Sequence, residues 1–240
     1  MNEISEAIQA VPVARKRKIT IRRILAYCAA AIIAVAVAAQ LAYTFSGSGT
    51  WQYLGTSNGV AIYSMKIPGD NWLKFKGIFY MKTTLDRVVA FTEDPVSGDI
   101  AVDFYKTRII GPFDTKSFLS EWRSGSPGPF KPRDYVARNT FTQDPKTGAV
   151  LFTLTAMPNA VPKDSCCVRI PFMHNSWLFT PKGNGTLEVT WKINMRQGGF
   201  FPYLMMNLGA PLFMADFAPH LQTYANRAKY ANAKFAWIHD

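Results

Sequence analysis

The residue types that most often do covalent chemistry are sparse in this chain. His174, His220 and His239 are far apart in sequence. No G-x-S-x-G nucleophile elbow accompanies them, so a Ser-His-Asp relay has no support. Three cysteines and three histidines are too few for a disulfide scaffold, and none of their spacings is that of a zinc site. Cys166 and Cys167 are adjacent; on a strand they would point to opposite faces, which suits a mutual disulfide poorly. Structural thiols or an oxidised vicinal turn are the readings left for them. Cys28 lies in an apolar run and is read as inert, with palmitoylation as the open alternative. Function must therefore come from the interior and the surface that the fold builds.

Composition allows a sizeable interior. Hydrophobic residues make up 48% and charged ones 18%, which excludes a disordered or acidic-tail chain. Ile24 to Phe45 contains no Asp, Glu, Lys or Arg over 22 residues. As a helix it would be about 33 Å long, against a hydrocarbon core of about 30 Å. Arg15, Lys16, Arg17, Lys18, Arg22 and Arg23 precede it, which predicts an N-terminus in the cytoplasm and a domain beyond the inner (plasma) membrane, in the periplasm or its equivalent. A cleaved signal peptide is the competing reading, since Ala36-Val37-Ala38 has the small-x-small form. The expected organisation is a basic tail at 1–23, a membrane anchor at 24–45, a Ser/Gly linker at 46–50 and one domain at 51–240.

Of the net charge of +11, residues 1–23 carry +4 and the remainder +7. Those later cations are scattered and form no block. Nucleic acid is not an expected partner outside the cytoplasm; anionic lipid headgroups are, beside the plain alternative of a solvated surface.

Within the domain, 60–67 and 73–81 read as strands around a Pro68-Gly69-Asp70-Asn71 turn. Thr84 reads as an N-cap to a helix carrying Leu85, Val88, Val89 and Thr92, stopped by Pro95. Strands follow at 102–110, 118–122, 134–142, 149–156, 165–170 and 175–180. The best patterned runs from Thr186 to Met195: Leu187, Val189, Trp191, Ile193 and Met195 share one face, while Thr186, Glu188, Thr190, Lys192 and Asn194 share the other. After Gly198-Gly199 the period becomes helical. A long apolar helix is expected from Pro202 to about Ala233, about 48 Å in length and kinked at Pro211 and Pro219. A twisted sheet wrapped around one long helix leaves a space between them, and such spaces hold ligands.

The sequence resembles the START domains, the lipid-transfer family related to the steroidogenic acute regulatory protein. Trp51-Gln52-Tyr53-Leu54 resembles the family's first helix or turn, Gly59 to Tyr63 its first strand and Phe75-Lys76-Gly77 its second. Pro132-Arg133-Asp134-Tyr135-Val136 resembles the start of an internal strand. Val168-Arg169, Trp177 and Thr180-Pro181 resemble the stretch that follows, and Gly198-Gly199-Phe200-Phe201-Pro202 with Asn207 resembles the approach to the last helix. A departure is Asp103-Phe104-Tyr105, which stands where the family commonly has an Asp-Trp pair.

The resemblance implies an α/β (α+β) helix-grip fold, a curved antiparallel sheet wrapped around a long C-terminal helix, here preceded by one transmembrane helix. It implies non-enzymatic binding and transfer of a single lipid, such as a sterol or phospholipid, in a hydrophobic tunnel, with no cofactor and no metal. The expected partners are the lipid and the membrane; the sequence names no protein partner. Expected cavity walls are Trp191, Ile193 and Met195 from the long strand and Met205, Met206, Leu208, Phe213 and Phe217 from the helix. Arg169 and Arg108 are the candidate polar partners for a headgroup, whereas Arg133 and Asp134 read as structural. Two other functions stay open: an enzyme of hydrolase or cyclase type on a hydrophobic substrate, by fold analogy, and a membrane-tethered protein-interaction module with a filled core.

Overall fold

The computed structural model describes residues 20–95, 97 and 104–239. The basic tail through position 19 and Asp103 lie outside the described residues. The contacts divide the chain into one unit ending at Tyr43 and a second beginning at Thr44. Helix α1, Ile21–Phe45, has no buried residue and is long and apolar enough to cross a bilayer.

The second unit is built on a curved, mainly antiparallel sheet of eleven strands. Strands β1 (Gln52–Ser57), β2 (Val60–Met65) and β3 (Lys74–Lys82) form a meander, followed by helix α2 (Leu85–Glu93). Then come β4 (Phe104–Asp114), β5 (Ser117–Ser124), β6 (Arg133–Gln143), β7 (Val150–Ala156), the two-residue β8 (Val168–Arg169), β9 (Phe172–Pro181), β10 (Thr186–Ile193) and β11 (Met195–Arg196). The spatial order is β1-β2-β3-β10-β9-β7-β6-β5-β4, with β11 beside β9 and β8 parallel to β6. Helix α3, Tyr203–Ala225, packs on β2, β3 and α2.

Local chemistry explains where the elements stop. The Thr84 hydroxyl accepts the Arg87 amide and caps α2, which ends before Asp94. β1 is a strand, not the helix or turn that the resemblance implied. Asn58 and Gly59 both have positive φ, 48° and 77°, the conformation of a two-residue hairpin. In β10, Leu187, Val189, Trp191 and Ile193 are buried in strict alternation. Gly77 lets α3 lie close on β3: a Cβ there would come within 2.9 Å of the Met214 Cε and 3.1 Å of the Val60 Cγ1.

α3 is shorter than the spacing predicts. It has 23 residues, about 35 Å, with Pro211 and Pro219 inside one continuous helix. It ends at Ala225 because Asn226 is drawn into the β3–α2 junction. The Asn226 side chain donates to the Lys82 carbonyl at 2.8 Å and accepts from the Thr83 hydroxyl at 2.9 Å and Arg87 at 3.0 Å. The strand expected at 165–170 is also shorter. Cys166 and Cys167 lie in the turn before β8 and form a disulfide with each other. Asp164 accepts the Cys166 amide at 3.0 Å and is itself held by Arg123 at 2.7 Å, so the segment is turned and not extended.

Candidate functional site

α3 covers the β2–β3 side of the sheet, and the interior opens where the sheet curves away beneath β4 to β7. A cavity of about 160 Å³ lies there. Its walls are aromatic and aliphatic: Val88 and Phe91 from α2, Phe104 and Ile109 from β4, Phe118 and Trp122 from β5. Phe152 and Leu154 from β7 and Trp177 and Phe179 from β9 continue the lining, and Phe217 and Leu221 of α3 close it. That volume is close to the roughly 150 Å³ of an engineered cavity that takes up one benzene. It fits one ring or a short acyl segment. Ligand pockets for larger molecules begin at about 300 Å³, so a whole lipid requires the walls to separate.

The polar residues of the lining come from α2 and the residues just after it, β4, β5 and β6. Asn139 donates to the Ser120 hydroxyl at 2.7 Å, and both are buried. Asp94 accepts from the Tyr230 hydroxyl at 2.8 Å and from Lys229, so its charge is answered. Glu93 is different. It is 9% exposed, it lines the cavity, and its buried Oε1 has no hydrogen-bond partner among the described residues. Burial, reinforced by the negative charge of Asp114, raises its carboxyl to about 7. Glu93 was absent from the sequence-based candidates, although Leu85, Val89 and Glu93 follow one another at four-residue steps and so share a helix face.

Among the described residues, Phe217 is the one of the ten sequence candidates that borders the cavity. Trp191 and Phe213 stand behind it in a ring cluster. Trp177 and Trp191 stack at 4.2 Å between centroids, Phe213 and Phe217 stack at 5.7 Å, and Trp191 meets both phenylalanines edge-on at 5.6 Å. Ile193 is buried in the core. Met195, half-buried in β11, accepts a contact from Asn175, and Met206 one from Gln197 at 3.6 Å. Met205 and Leu208 are on the exposed side of α3.

The two arginines do not reach the cavity. Ser120 and Trp122 point into it, so the intervening Glu121 points to the opposite face of β5, and Glu121 is the partner of Arg108 at 2.7 Å. Arg169 pairs with Asp134 at 2.8 Å and approaches Glu121 at 3.9 Å. It also donates to the carbonyls of Pro158, Val161 and Pro162. Both arginines were attractive as buried cations, but carboxylates on their own face of the sheet satisfy them. Arg133, read as structural, donates to the carbonyls of Gln197 and Gly198 and holds the turn that leads into α3. Asn207 then fixes that helix to the β2–β3 loop, accepting the Leu73 amide and donating to the Asn71 carbonyl, both at 2.9 Å.

No family model matches the chain. An uncharacterized protein of Pseudomonas aeruginosa is 24% identical over 165 residues, 68% of this chain and 81% of that protein. Among solved structures, a fragment of the STAR-related lipid transfer protein from Xanthomonas axonopodis is similar with a TM-score of 0.68 at 21% identity, covering 75% of this chain and all of the fragment. Human STARD10 has a TM-score of 0.67 at 11% identity, over 93% of this chain and 84% of its own. Human StAR-related lipid transfer protein 5 has 0.62 at 19%, over 83% and 97%. The sheet gripping a C-terminal helix is the START fold, the fold of the STAR-related lipid transfer domains.

Proposed function

We propose that the second unit binds the apolar part of one lipid in the cavity beneath α3 and exchanges it with a membrane, without covalent chemistry. The observation that carries this reading is the cavity itself: an apolar interior space between the curved sheet and the two helices, in a fold shared with lipid transfer proteins. The ring cluster of Trp177, Trp191, Phe213 and Phe217 serves as its gate. It reaches from the cavity wall to Phe213, which is partly open to solvent.

The exposed side of α3 supports exchange at a bilayer. In the first half of the helix, Leu204, Leu208 and Leu212 repeat every four residues and are exposed, Leu212 by 72%. In the second half, the exposed positions are Asp216, Pro219, His220, Gln222 and Thr223, polar apart from the proline. An apolar stripe confined to the end beside the gate is suited to entering lipid. α1 anchors the chain in the inner membrane, with its basic flank in the cytoplasm and the second unit outside, where the Cys166–Cys167 disulfide is at home.

Vesicles carrying the reconstituted full-length chain test the reading. Mixed with vesicles containing a self-quenched fluorescent lipid, they should relieve quenching faster than protein-free vesicles. Equal rates, or an unchanged rate for a chain with Ile109→Trp in the cavity wall, would count against it.

A further inference from the structure

The charge inventory of the cavity narrows the ligand. Among the described residues that line it, the charged side chains are Glu93 and Asp94, and there is no Lys, Arg or His. Asp94 is neutralised by Lys229. Residues 96–103 add no cation in sequence. An anionic head entering this space would meet the Glu93 carboxyl with no cation to offset its desolvation, only neutral donors such as the Trp122 indole N–H, which is buried without a partner among the described residues. A phosphate or a carboxylate is therefore the wrong chemistry for this interior.

Glu93 itself needs a partner. Its Oε1 is a buried acceptor with no hydrogen bond among the described residues, and of the carboxylate oxygens in that state it is the one that lines the cavity. A hydroxyl suits it in either protonation state, since it can donate to the carboxylate, or accept from the carboxylic acid while donating elsewhere. The Ser120–Asn139 pair adds further polar groups to the lining on β5 and β6, while Phe152, Leu154 and Phe179 supply apolar surface. Resting on the lipid-binding reading above, we propose that the cavity selects neutral lipids bearing a hydroxyl group, held by Glu93, and excludes lipids whose buried head is an anion.

Photoactivatable sixteen-carbon probes with the same diazirine-bearing tail and different ends (alcohol, carboxylic acid, primary amine, plain alkane) test this with the full-length chain in phosphatidylcholine vesicles at pH 8.5. The readout is labelling of β4, β7 and β9 peptides by mass spectrometry. The alcohol should label about tenfold more than the acid, a difference of the size expected for one hydrogen bond to a charged group. Glu93→Gln, which keeps a donor and an acceptor, should retain the alcohol and bring the acid to within about threefold of it. Glu93→Leu should reduce the alcohol to the level of the alkane. Equal labelling by acid and alcohol in the native chain, an unchanged ratio in Glu93→Gln, or stronger labelling by the amine than by the alcohol would each overturn the selection. Absence of labelling by all four probes, the alkane included, would instead refute lipid binding itself. Circular dichroism establishes that each variant is folded, and the nearly isosteric Glu93→Gln carries the test if Glu93→Leu is not.

Discussion

The two faces of the β5–β6 ribbon treat charge in opposite ways. On the outer face, Arg169, Asp134, Glu121 and Arg108 answer one another, and the carbonyls of Pro158, Val161 and Pro162 take up the remaining Arg169 donors. On the inner face, Phe118 and Trp122 line the cavity, and in the same lining the Glu93 carboxyl has an oxygen with no partner among the described residues. Each side has a buried carboxylate oxygen without a hydrogen bond among the described residues, Asp134 Oδ1 outside and Glu93 Oε1 inside, but Asp134 has a cation against its other oxygen and Glu93 faces the cavity. Burial of a charge therefore does not by itself mark a binding residue. What distinguishes the two faces is whether the protein supplies a cation: Asp134 has Arg169 at 2.8 Å, whereas Glu93 has none among the described residues.

Breaking the outer network should have the largest effect. Arg169→Ala leaves Asp134, whose side chain is 1% exposed, buried without its cation, and should lower stability by about 3–5 kcal/mol in denaturant titrations. Its ligand preference should not change if the variant folds. Next is the inner face. Ile109→Trp should fill much of the cavity and reduce photolabelling by the alcohol probe about tenfold, with a stability change of about 1–3 kcal/mol from overpacking.

Glu93 connects the comparison to pH. The folded chain holds a proton on Glu93 that the unfolded chain releases, so this group makes stability decline as pH rises from about 4.5 through about 7. Glu93→Gln should flatten that slope in thermal melts recorded across the interval. An unchanged slope would mean that the carboxyl is solvated. The smallest effect is expected at Arg108, whose side chain is 67% exposed. Arg108→Ala should cost about 1 kcal/mol or less, since an exposed pair contributes little and Arg169 remains beside Glu121.

Much of the fold is legible in the residues. β10 is readable because one face is buried and the other is not, so its alternation survives in sequence. α2 is readable from Thr84 and the apolar spacing behind it. The β1–β2 hairpin has an equally local signal in Asn58-Gly59, passed over when the preceding residues were matched to a helix or turn. The end of α3 is not local. Asn226 stops it by binding Lys82 and Thr83, more than 140 positions earlier, and no helical periodicity records that.

The candidate site was less legible, for a physical reason. Trp191, Phe213 and Phe217 meet in one ring cluster because large apolar side chains on the gripping elements must pack together, but of the three Phe217 alone borders the cavity. Arg108 and Arg169 were chosen as buried-cation candidates, but a sequence does not show which face of the sheet a carboxylate partner occupies. Glu93 reads as an ordinary charged residue until the helix face it shares with Leu85 and Val89 is placed against the cavity.

The most direct test of the account is mass spectrometry of organic extracts from the full-length chain and its Ile109→Trp variant, purified side by side from membranes so that carried-over bilayer lipid cancels. The account predicts one neutral, hydroxyl-bearing lipid species at about one molecule per native chain, depleted in the variant. Identical extracts from the two proteins would contradict it.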